Sequence, residues 1–366
     1  MNQVRVVMLS KAVVVGTYQR KLEEIAQLGI ALTVLVPPSW RDSSGELPLE
    51  RTYTNGYDLQ VIPIQFNGNY HLHRYPTLPH CLDRIQPNLL HIDEEPYNLA
   101  TWEALWYAKR RGIKTLFFSW QNLVRAYPPP FSWGERWTLD TIDHALMGTQ
   151  SAADVWRAKG YRKPYTVIPQ FGIDPDLFKP SLKREERPFT IGFAGRLVPE
   201  KGVDVLLNAV KGLSGDFQVK IAGQGNERTA LESLTKDLGL REKTEFLGQM
   251  PSTQLPHFYH GLDVLVIPSV SRPNWKEQFG RVIIEANGCG VPVIGSDCGA
   301  IPGLVGYGGL IFPEGDSVRL QEILTDLMRN PERRYALGQA GREQVLRLYT
   351  HQGVARQTVA VYQSLL

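Results

Sequence analysis

The sequence predicts an α/β protein built from two Rossmann-like domains. Three observations carry this expectation. Short β-branched runs alternate with amphipathic helical patterns along all 366 residues, the pattern of parallel sheets covered by helices. The alternation breaks once, in a polar, turn-rich stretch at residues 172–188, and then resumes. In the second half, charged residues follow strand–glycine–helix passages, where open α/β sheets bind ligands.

In the first half, strands are expected over residues 4–9, 32–36, 59–64, 89–92, 114–118, 144–147 and 165–168, with helices over 19–28, 98–110 and 152–159. The proline-rich stretch 126–133 is expected as a loop. Asp174-Pro175-Asp176, Pro180 and the charged run Lys183-Arg184-Glu185-Glu186-Arg187 mark a linker. Beyond it, strands are expected over 189–194, 218–222, 244–247, 264–268, 291–295 and 309–312. Helices are expected over 203–211, 227–238, 253–261, 279–288, 318–328 and 332–348, with a last one from 350. The expected domains are therefore 1–171 and 172–348, followed by a terminal helix at 349–366.

Composition bounds the function. With 43% hydrophobic and 21% charged residues, the chain reads as an ordinary soluble globular protein. A net charge of +3 is too small to point to nucleic acid. Basic clusters at 109–114 and 157–163 fall near expected helix C-termini, where cations are favourable; an anionic membrane surface is the alternative reading. Cys81, Cys289 and Cys298 are odd in number and have no metal spacing, which favours a reducing, cytoplasmic setting. The first residues lack the features of a signal peptide, and no segment reaches the roughly 18 apolar residues that span a bilayer.

Glu277 and Glu285 stand eight positions apart. Helical residues advance about 100° each, so carboxylates two turns apart share roughly one face. The first stands at the entry of the expected helix and the second inside it, with Gly288 and Gly290 ending it. For an arbitrary pair, solvated helix charges would be the ordinary reading. A second passage weighs against it. Residues 189–202, Phe-Thr-Ile-Gly-Phe-Ala-Gly-Arg-Leu-Val-Pro-Glu-Lys-Gly, read as strand, glycine turn, two cations and helix start. Gly195 permits close backbone approach and a helix N-terminus attracts anions. Arg196 and Lys201 add full charges, and the constellation suits a diphosphate.

Together the two passages resemble the family 4 glycosyltransferases, retaining group 1 enzymes of the GT-B fold. The Gly-Arg-x4-Lys-Gly and Glu-x7-Glu elements stand in the family's order and at about its spacing. The likeness runs through the C-terminal half and appears in patches in the N-terminal half. It implies two facing Rossmann-like domains with a cleft between them, the last helix crossing back onto the N-terminal domain. It also implies transfer of a hexose from a nucleoside-diphosphate sugar to a saccharide or lipid-linked acceptor, in polysaccharide or glycolipid assembly. UDP-glucose is the first donor expected, on family frequency. In this reading Arg196 and Lys201, with Gly195, stabilise the leaving diphosphate. Glu277 holds the sugar's hydroxyls with the backbone of Gln278, Phe279 and Gly280. Glu285 accepts from the ribose, Gly223 makes a close turn beside the nucleotide, and the base lies near Gly248 and Met250. No metal or other cofactor is expected, since fixed cations replace a divalent ion. The expected partners are the nucleotide sugar, the acceptor and an anionic membrane face, without nucleic acid.

The N-terminal half departs from the family pattern. After the first strand only Gly16 remains of a glycine-rich loop; it is expected under the diphosphate, with a plain strand-end turn as the alternative. A histidine common after the strand at 114–118 is absent, with Trp120 or Gln121 in its place. Its absence favours a route in which the departing phosphate takes the acceptor's proton. Gln121 and Asn122 remain to orient hydroxyls. Asp93, Glu94 and Glu95 close another strand, and three adjacent acids must meet solvent or a basic partner. Glu94 or Glu95 is the acceptor-side candidate, against a plain helix N-terminal charge effect. The rival functions are a nucleotide-sugar 2-epimerase or a phosphorylase of the same fold, and a catalytically inactive nucleotide-sugar binding module.

Overall fold

The computed structural model describes residues 3–42, 45–181, 187–251 and 254–366. The chain divides into two compact units, Met1–Gly172 joined by His351–Leu366, and Ile173–Thr350. Residues 182–186 of the expected linker lie outside the described residues.

The first unit contains β1 (Arg5–Leu9), β2 (Ala31–Val36), β3 (Ser39–Asp42), β4 (Gly45–Pro48), β5 (Asp58–Val61), β6 (Leu89–Ile92), β7 (Lys114–Ser119), β8 (His144–Met147) and β9 (Tyr165–Val167). Its helices are α1 (Arg20–Gln27), α2 (Leu78–Ile85), α3 (Leu99–Arg110), α4 (Phe131–Thr141) and α5 (Gln150–Ala158). Seven strands form a parallel sheet in the order β5-β2-β1-β6-β7-β8-β9, and β3 and β4 form a separate antiparallel hairpin. Alternate residues serve two cores. Val7, Leu9, Leu90, Ile92 and Phe117 pack with residues of α2, α3 and α5. Val6, Met8, Val34, Leu89 and Leu116 pack with Leu22 and Ile25 of α1 and with Val354, Val359 and Tyr362. Burial on both faces is why these strands read as unbroken apolar runs.

The second unit contains β10 (Phe189–Ala194), β11 (Phe217–Ala222), β12 (Thr244–Gly248), β13 (Val264–Ile267), β14 (Val293–Ser296) and β15 (Gly309–Phe312). Its helices are α6 (Val203–Lys211), α7 (Arg228–Asp237), α8 (Leu255–His260), α9 (Arg281–Gly288), α10 (Ile301–Val305), α11 (Ser317–Arg329) and α12 (Pro331–Leu348). The sheet is parallel, in the order β12-β11-β10-β13-β14-β15. Leu206 and Val210 of α6 and Leu320 and Leu324 of α11 share one core with Ile191, Val219 and Val264. The final helix, α13 (His351–Leu365), leaves this unit and packs on α1 of the first. There the Tyr362 hydroxyl meets Nδ1 of His91 in β6 at 2.6 Å.

Two expectations change. Phe131, Ser132 and Trp133 belong to α4, with Pro130 as its N-cap. The proline run thus precedes a helix, where missing N–H groups cost nothing. The helix carrying Glu285 begins at Arg281, because Gly280 adopts a left-handed conformation (φ 61°) before it. Glu277 therefore lies outside that helix, and the shared-face argument fails for it. The β3–β4 hairpin, α2 and α10 have no counterpart among the sequence expectations.

In both sheets the strand order reverses beside the first strand, between β1 and β6 and between β10 and β13. These are the switch points, where loops diverge and leave room for a ligand. Gly202, which ends the loop after β10, has φ 64°, and a Cβ there would lie 2.0 Å from the Pro268 carbonyl oxygen after β13. Gly202→Ala should therefore destabilise the protein by about 2–4 kcal/mol. Gly303→Ala, a helical position with nothing within 4 Å, should be neutral or stabilising. Denaturant midpoints of the two variants check this.

Candidate active site

At the switch point of the second unit, the loop after β10 lies against the loop after β11. Gly195 N–H donates to the Ala222 carbonyl (3.0 Å) and Leu197 N–H to that of Gln224 (2.8 Å). A Cβ on Gly223 would stand 1.8 Å from the Gly195 carbonyl oxygen, so loop packing itself demands this glycine. The chain then turns through Pro199–Lys201 into α6. This brings the Lys201 ammonium to 2.5 Å from Glu277 Oε2 and 5.1 Å from the Trp275 ring centroid. Ser269, just after β13, donates its hydroxyl to the same oxygen at 3.2 Å. The Glu277 carbonyl accepts the Ala300 N–H at 3.0 Å, and a Cβ on Gly299 would approach that carbonyl to 2.3 Å. Glu277 is thus fixed through both side chain and backbone by loops that follow three different strands.

A cavity of about 440 Å³ opens among Ala194, Gly195, Arg196, Ala222, Gly223, Gln224, Gln249, Met250, Leu255 and Val282. Its size and mixed apolar and amide lining are those of a small-molecule site. The structure therefore brings together Gly195, Arg196, Gly223 and Met250 of the expected site. Arg196 is 67% exposed at its side chain and only 3.7 Å from Glu200, a weak contact that leaves it able to turn to a ligand. Gly248 (φ 74°) accepts the Gly223 N–H on its carbonyl at 2.7 Å. Phe279 is buried with its ring 6.4 Å from Tyr349, which holds the loop of Glu277, while Gln278 is exposed.

Glu285 stands apart from Glu277. It is 2% exposed; its carboxylate accepts the Tyr259 hydroxyl at 2.8 Å and pairs with Arg281 at 2.8 Å. Burial raises its carboxyl above the ordinary range, against the pull of Arg281 and Tyr259. A ribose contact would require the groups that bury this carboxylate to move aside. Arg281 was legible from its spacing, four residues before Glu285 on one helix. Ser269, Tyr259 and Gly299 carried no such signal, because sheet order alone brings them to the site.

In the first unit, Gly16 donates its N–H to Glu50 Oε2 at 2.6 Å. The anion at that turn is the chain's own carboxylate. The three adjacent acids all find partners inside the protein. Asp93 accepts the Ser10 hydroxyl (2.5 Å) and the Gln170 amide (2.8 Å). Glu94 pairs with Lys11 and stands 3.3 Å from His73 Nε2, and it accepts from Tyr75 (3.4 Å) and Asn98 (3.3 Å). Burial alone would raise the Glu94 carboxyl, but Lys11 and His73 override it and hold it at about 2. Glu95 accepts the Ser119 hydroxyl (2.6 Å) and the Trp120 N–H (2.9 Å). Burial nonetheless pushes it up to about 7. Trp120 also donates its indole N–H to Gln170 at 2.9 Å, and the Gln121 amide donates to the Leu123 carbonyl at 3.1 Å. Asn122 is buried next to them in sequence.

Three cations of the basic clusters have acidic partners within the unit. Lys109 pairs with Asp143 (2.6 Å), Arg111 with Asp83 (2.6 Å) and Lys159 with Glu135 (2.5 Å). Among the described residues no group of three or more His, Cys, Asp or Glu side chains is placed to hold a metal ion. No described helix is long and apolar enough to cross a membrane.

Comparison with known proteins fits this geometry. Residues 174–344 match the family model for glycosyl transferases group 1, which supports that family for the second unit. The chain is 31% identical over 182 residues to a D-inositol 3-phosphate glycosyltransferase of Mycobacteroides abscessus, covering 46% of this chain and 40% of that protein. It thus spans about half the length of the curated relatives it matches, 40% to 59% for the first three. Among solved structures, sucrose-phosphate synthase of Thermosynechococcus elongatus superposes with a TM-score of 0.72 at 20% identity, over 99% of both chains. Anabaena HepE in complex with UDP gives 0.73 at 16% identity, over 99% of this chain and all of the other. A further HepE structure contains UDP-glucose. The structural likenesses establish the two-unit α/β fold of these proteins.

Glu94→Gln should leave the Lys11 ammonium without its buried counter-charge and destabilise the protein by about 3 kcal/mol at pH 7. The folded carboxyl lies below its unfolded value, so its contribution is present above about pH 4.5 and fades as pH falls towards 2. Unfolding of parent and variant at pH 7 and pH 3 should show the difference shrinking at the lower value.

Proposed function

We propose that the chain is a glycosyltransferase that moves a hexose from a nucleoside-diphosphate sugar to a saccharide or lipid-linked acceptor. UDP-glucose is the first donor to test. Retention of anomeric configuration, and a setting in polysaccharide or glycolipid assembly, follow from the family resemblance. One observation carries the reading. At one end of one parallel sheet, a cavity of about 440 Å³ has Arg196 in its wall, and the same loop runs on to the Lys201–Glu277 pair. The presence of UDP in the HepE complex supports the same class of donor.

In this reading the base and ribose enter the pocket between Gly223 and Met250. Arg196 swings to the diphosphate, and Lys201 shares its charge between Glu277 and the β-phosphate. As the glycosidic bond breaks, negative charge grows on that phosphate, and preorganised cations stabilise it. Glu277, fixed by its backbone, accepts hydroxyls of the sugar, and the leaving phosphate oxygen takes the acceptor's proton. Fixed cations then serve where a divalent ion otherwise would.

Charge-assisted hydrogen bonds are each worth roughly 1.5–3 kcal/mol. Arg196→Ala and Lys201→Ala should therefore weaken UDP binding about tenfold or more. Unchanged affinity by calorimetry in both variants would remove the diphosphate assignment.

The two glutamates should fail differently. Glu285→Gln should weaken free UDP, whereas Glu277→Gln should spare UDP and depress donor turnover, because a sugar contact can strengthen in the transition state. UDP affinity and release of UDP and free sugar from UDP-glucose, measured for both, check the assignment. Absence of any donor turnover in the parent would favour the inactive binding module instead.

Activity should also survive excess EDTA. Loss that magnesium or manganese restores would overturn the metal-independent mechanism.

A further inference from the structure

The loop after β13 carries a turn that the donor reading does not explain. Arg272, Pro273, Asn274 and Trp275 fold back tightly. The Arg272 N–H donates to the Trp275 carbonyl at 2.8 Å, and the Trp275 N–H donates to the Arg272 carbonyl at 3.1 Å. Proline and asparagine at the two corners suit such a turn. Arg272, Pro273 and Asn274 are exposed, while Trp275 is half-buried with its ring 5.1 Å from the Lys201 ammonium. Two backbone hydrogen bonds make the turn a closed unit, so its position is set at its base.

That base is Ser271. Its N–H donates to Glu314 Oε2 at 2.5 Å and its hydroxyl to Glu314 Oε1 at 2.6 Å. Both oxygens of one carboxylate hold one residue, through charge-assisted hydrogen bonds. Glu314 is itself placed by the sheet. Phe312 of β15 pairs in register with Ser296 of β14. The Asp297 N–H then donates to the Phe312 carbonyl at 3.0 Å, and the Glu314 N–H to Asp297 Oδ1 at 2.8 Å. From the turn, Arg272 reaches the Pro199 carbonyl at 3.4 Å, in the loop that leads to Lys201. A chain of contacts thus runs from the edge strand β15 through Glu314, Ser271 and Trp275 to the Lys201–Glu277 pair. Stability alone does not call for it. Ser271 and Glu314 are both half-buried, so water can satisfy the Ser271 N–H. A lysine stem is flexible, and a ring held over its ammonium restricts it.

We propose that Glu314 is a positioning residue: through Ser271 it holds the Arg272–Trp275 turn where the Trp275 ring keeps the Lys201 ammonium beside Glu277. This rests on the glycosyltransferase reading and adds to it a residue that acts without touching substrate. A preorganised cation acts most strongly on charge that grows in the transition state. A loosened Lys201 keeps its charge and loses its place, so it costs turnover more than nucleotide affinity.

Two measurements on the full chain test this, and the first needs no activity. In protein labelled with carbon-13 at the lysine ε-carbons, the Lys201 signal, assigned from Lys201→Arg, should lie upfield of those of exposed lysines because of the Trp275 ring. It should lose that shift in Trp275→Ala and in Glu314→Ala. It should keep the shift in Glu314→Gln, whose amide can accept the Ser271 N–H and donate to the Ser271 hydroxyl. The second measurement is release of UDP and glucose from UDP-glucose. Glu314→Ala should lower kcat about tenfold, less than the roughly 10²–10³-fold that loss of a whole donor costs. UDP affinity should change by less than about threefold, and Glu314→Gln should restore most of the turnover. Adding Glu314→Ala to Trp275→Ala should cause little further loss, because both act through one ring. If Glu314→Ala does not fold, Ser271→Ala, which removes only the hydroxyl bond, should show the same changes at smaller size. An unchanged Lys201 signal in Glu314→Ala, losses of turnover that multiply in the double variant, or a UDP affinity that falls as far as turnover would overturn the proposal. A parent that turns over no donor fails the transferase reading instead, and the Lys201 signal then judges the positioning by itself.

Discussion

The second unit depends on a lysine and a glutamate held together where its sheet changes direction. A largely buried ion pair is costly, because desolvation can exceed the attraction it gains. Here Ser269 supplies a second donor, Trp275 covers the ammonium, and the backbone of Glu277 is fixed by Ala300. The loops must come very close for this, which explains the glycines. Gly202 meets the Pro268 carbonyl, Gly223 the Gly195 carbonyl and Gly299 the Glu277 carbonyl at distances no Cβ permits. The apolar strands exist to set these loops in register, and the charged pair is what that register holds in place.

The first unit repeats the arrangement. Lys11 follows β1 and Glu94 follows β6, as Lys201 follows β10 and Glu277 follows β13. An indole covers each ammonium, Trp40 at 5.3 Å and Trp275 at 5.1 Å. The outcomes differ through exposure. The Glu94 side chain is wholly enclosed, whereas that of Glu277 keeps a tenth of its surface. One pair closes its switch point and the other leaves its own within reach of a ligand. Equivalent topology has produced a structural lock in one sheet and a candidate site in the other.

Strands were legible because burial on both faces writes them as apolar runs, and the expected limits of β6, β8, β10 and β15 match those observed. Helix starts were less legible where backbone conformation decided them. Gly280 could have continued the helix by pattern, but its left-handed turn delays α9 to Arg281. Pro130 could have ended regular structure, and instead it opens α4. Short elements such as α10 carry too few residues for a period. Among the site residues, Arg196 and Lys201 were readable because they lie close to glycines after a strand. Tyr259 and Ser269 were not, since their contacts arise from strand order, which sequence spacing does not encode.

Glu94 and Glu95 show how little of such chemistry resides in residue type. They are adjacent and chemically alike, Glu94 buried and Glu95 half-buried. One is held at about 2 by a cation and an imidazole, and the other is pushed to about 7 because hydrogen bonds from Ser119 and Trp120 do not offset its desolvation. Both residues lie past the end of β6, where the chain bends, so Glu94 meets Lys11 and His73 while Glu95 meets Ser119 and the Trp120 N–H of the loop after β7. Glu94 is therefore the acid whose charge the fold supports, and Glu95 the one whose ionisation the fold opposes.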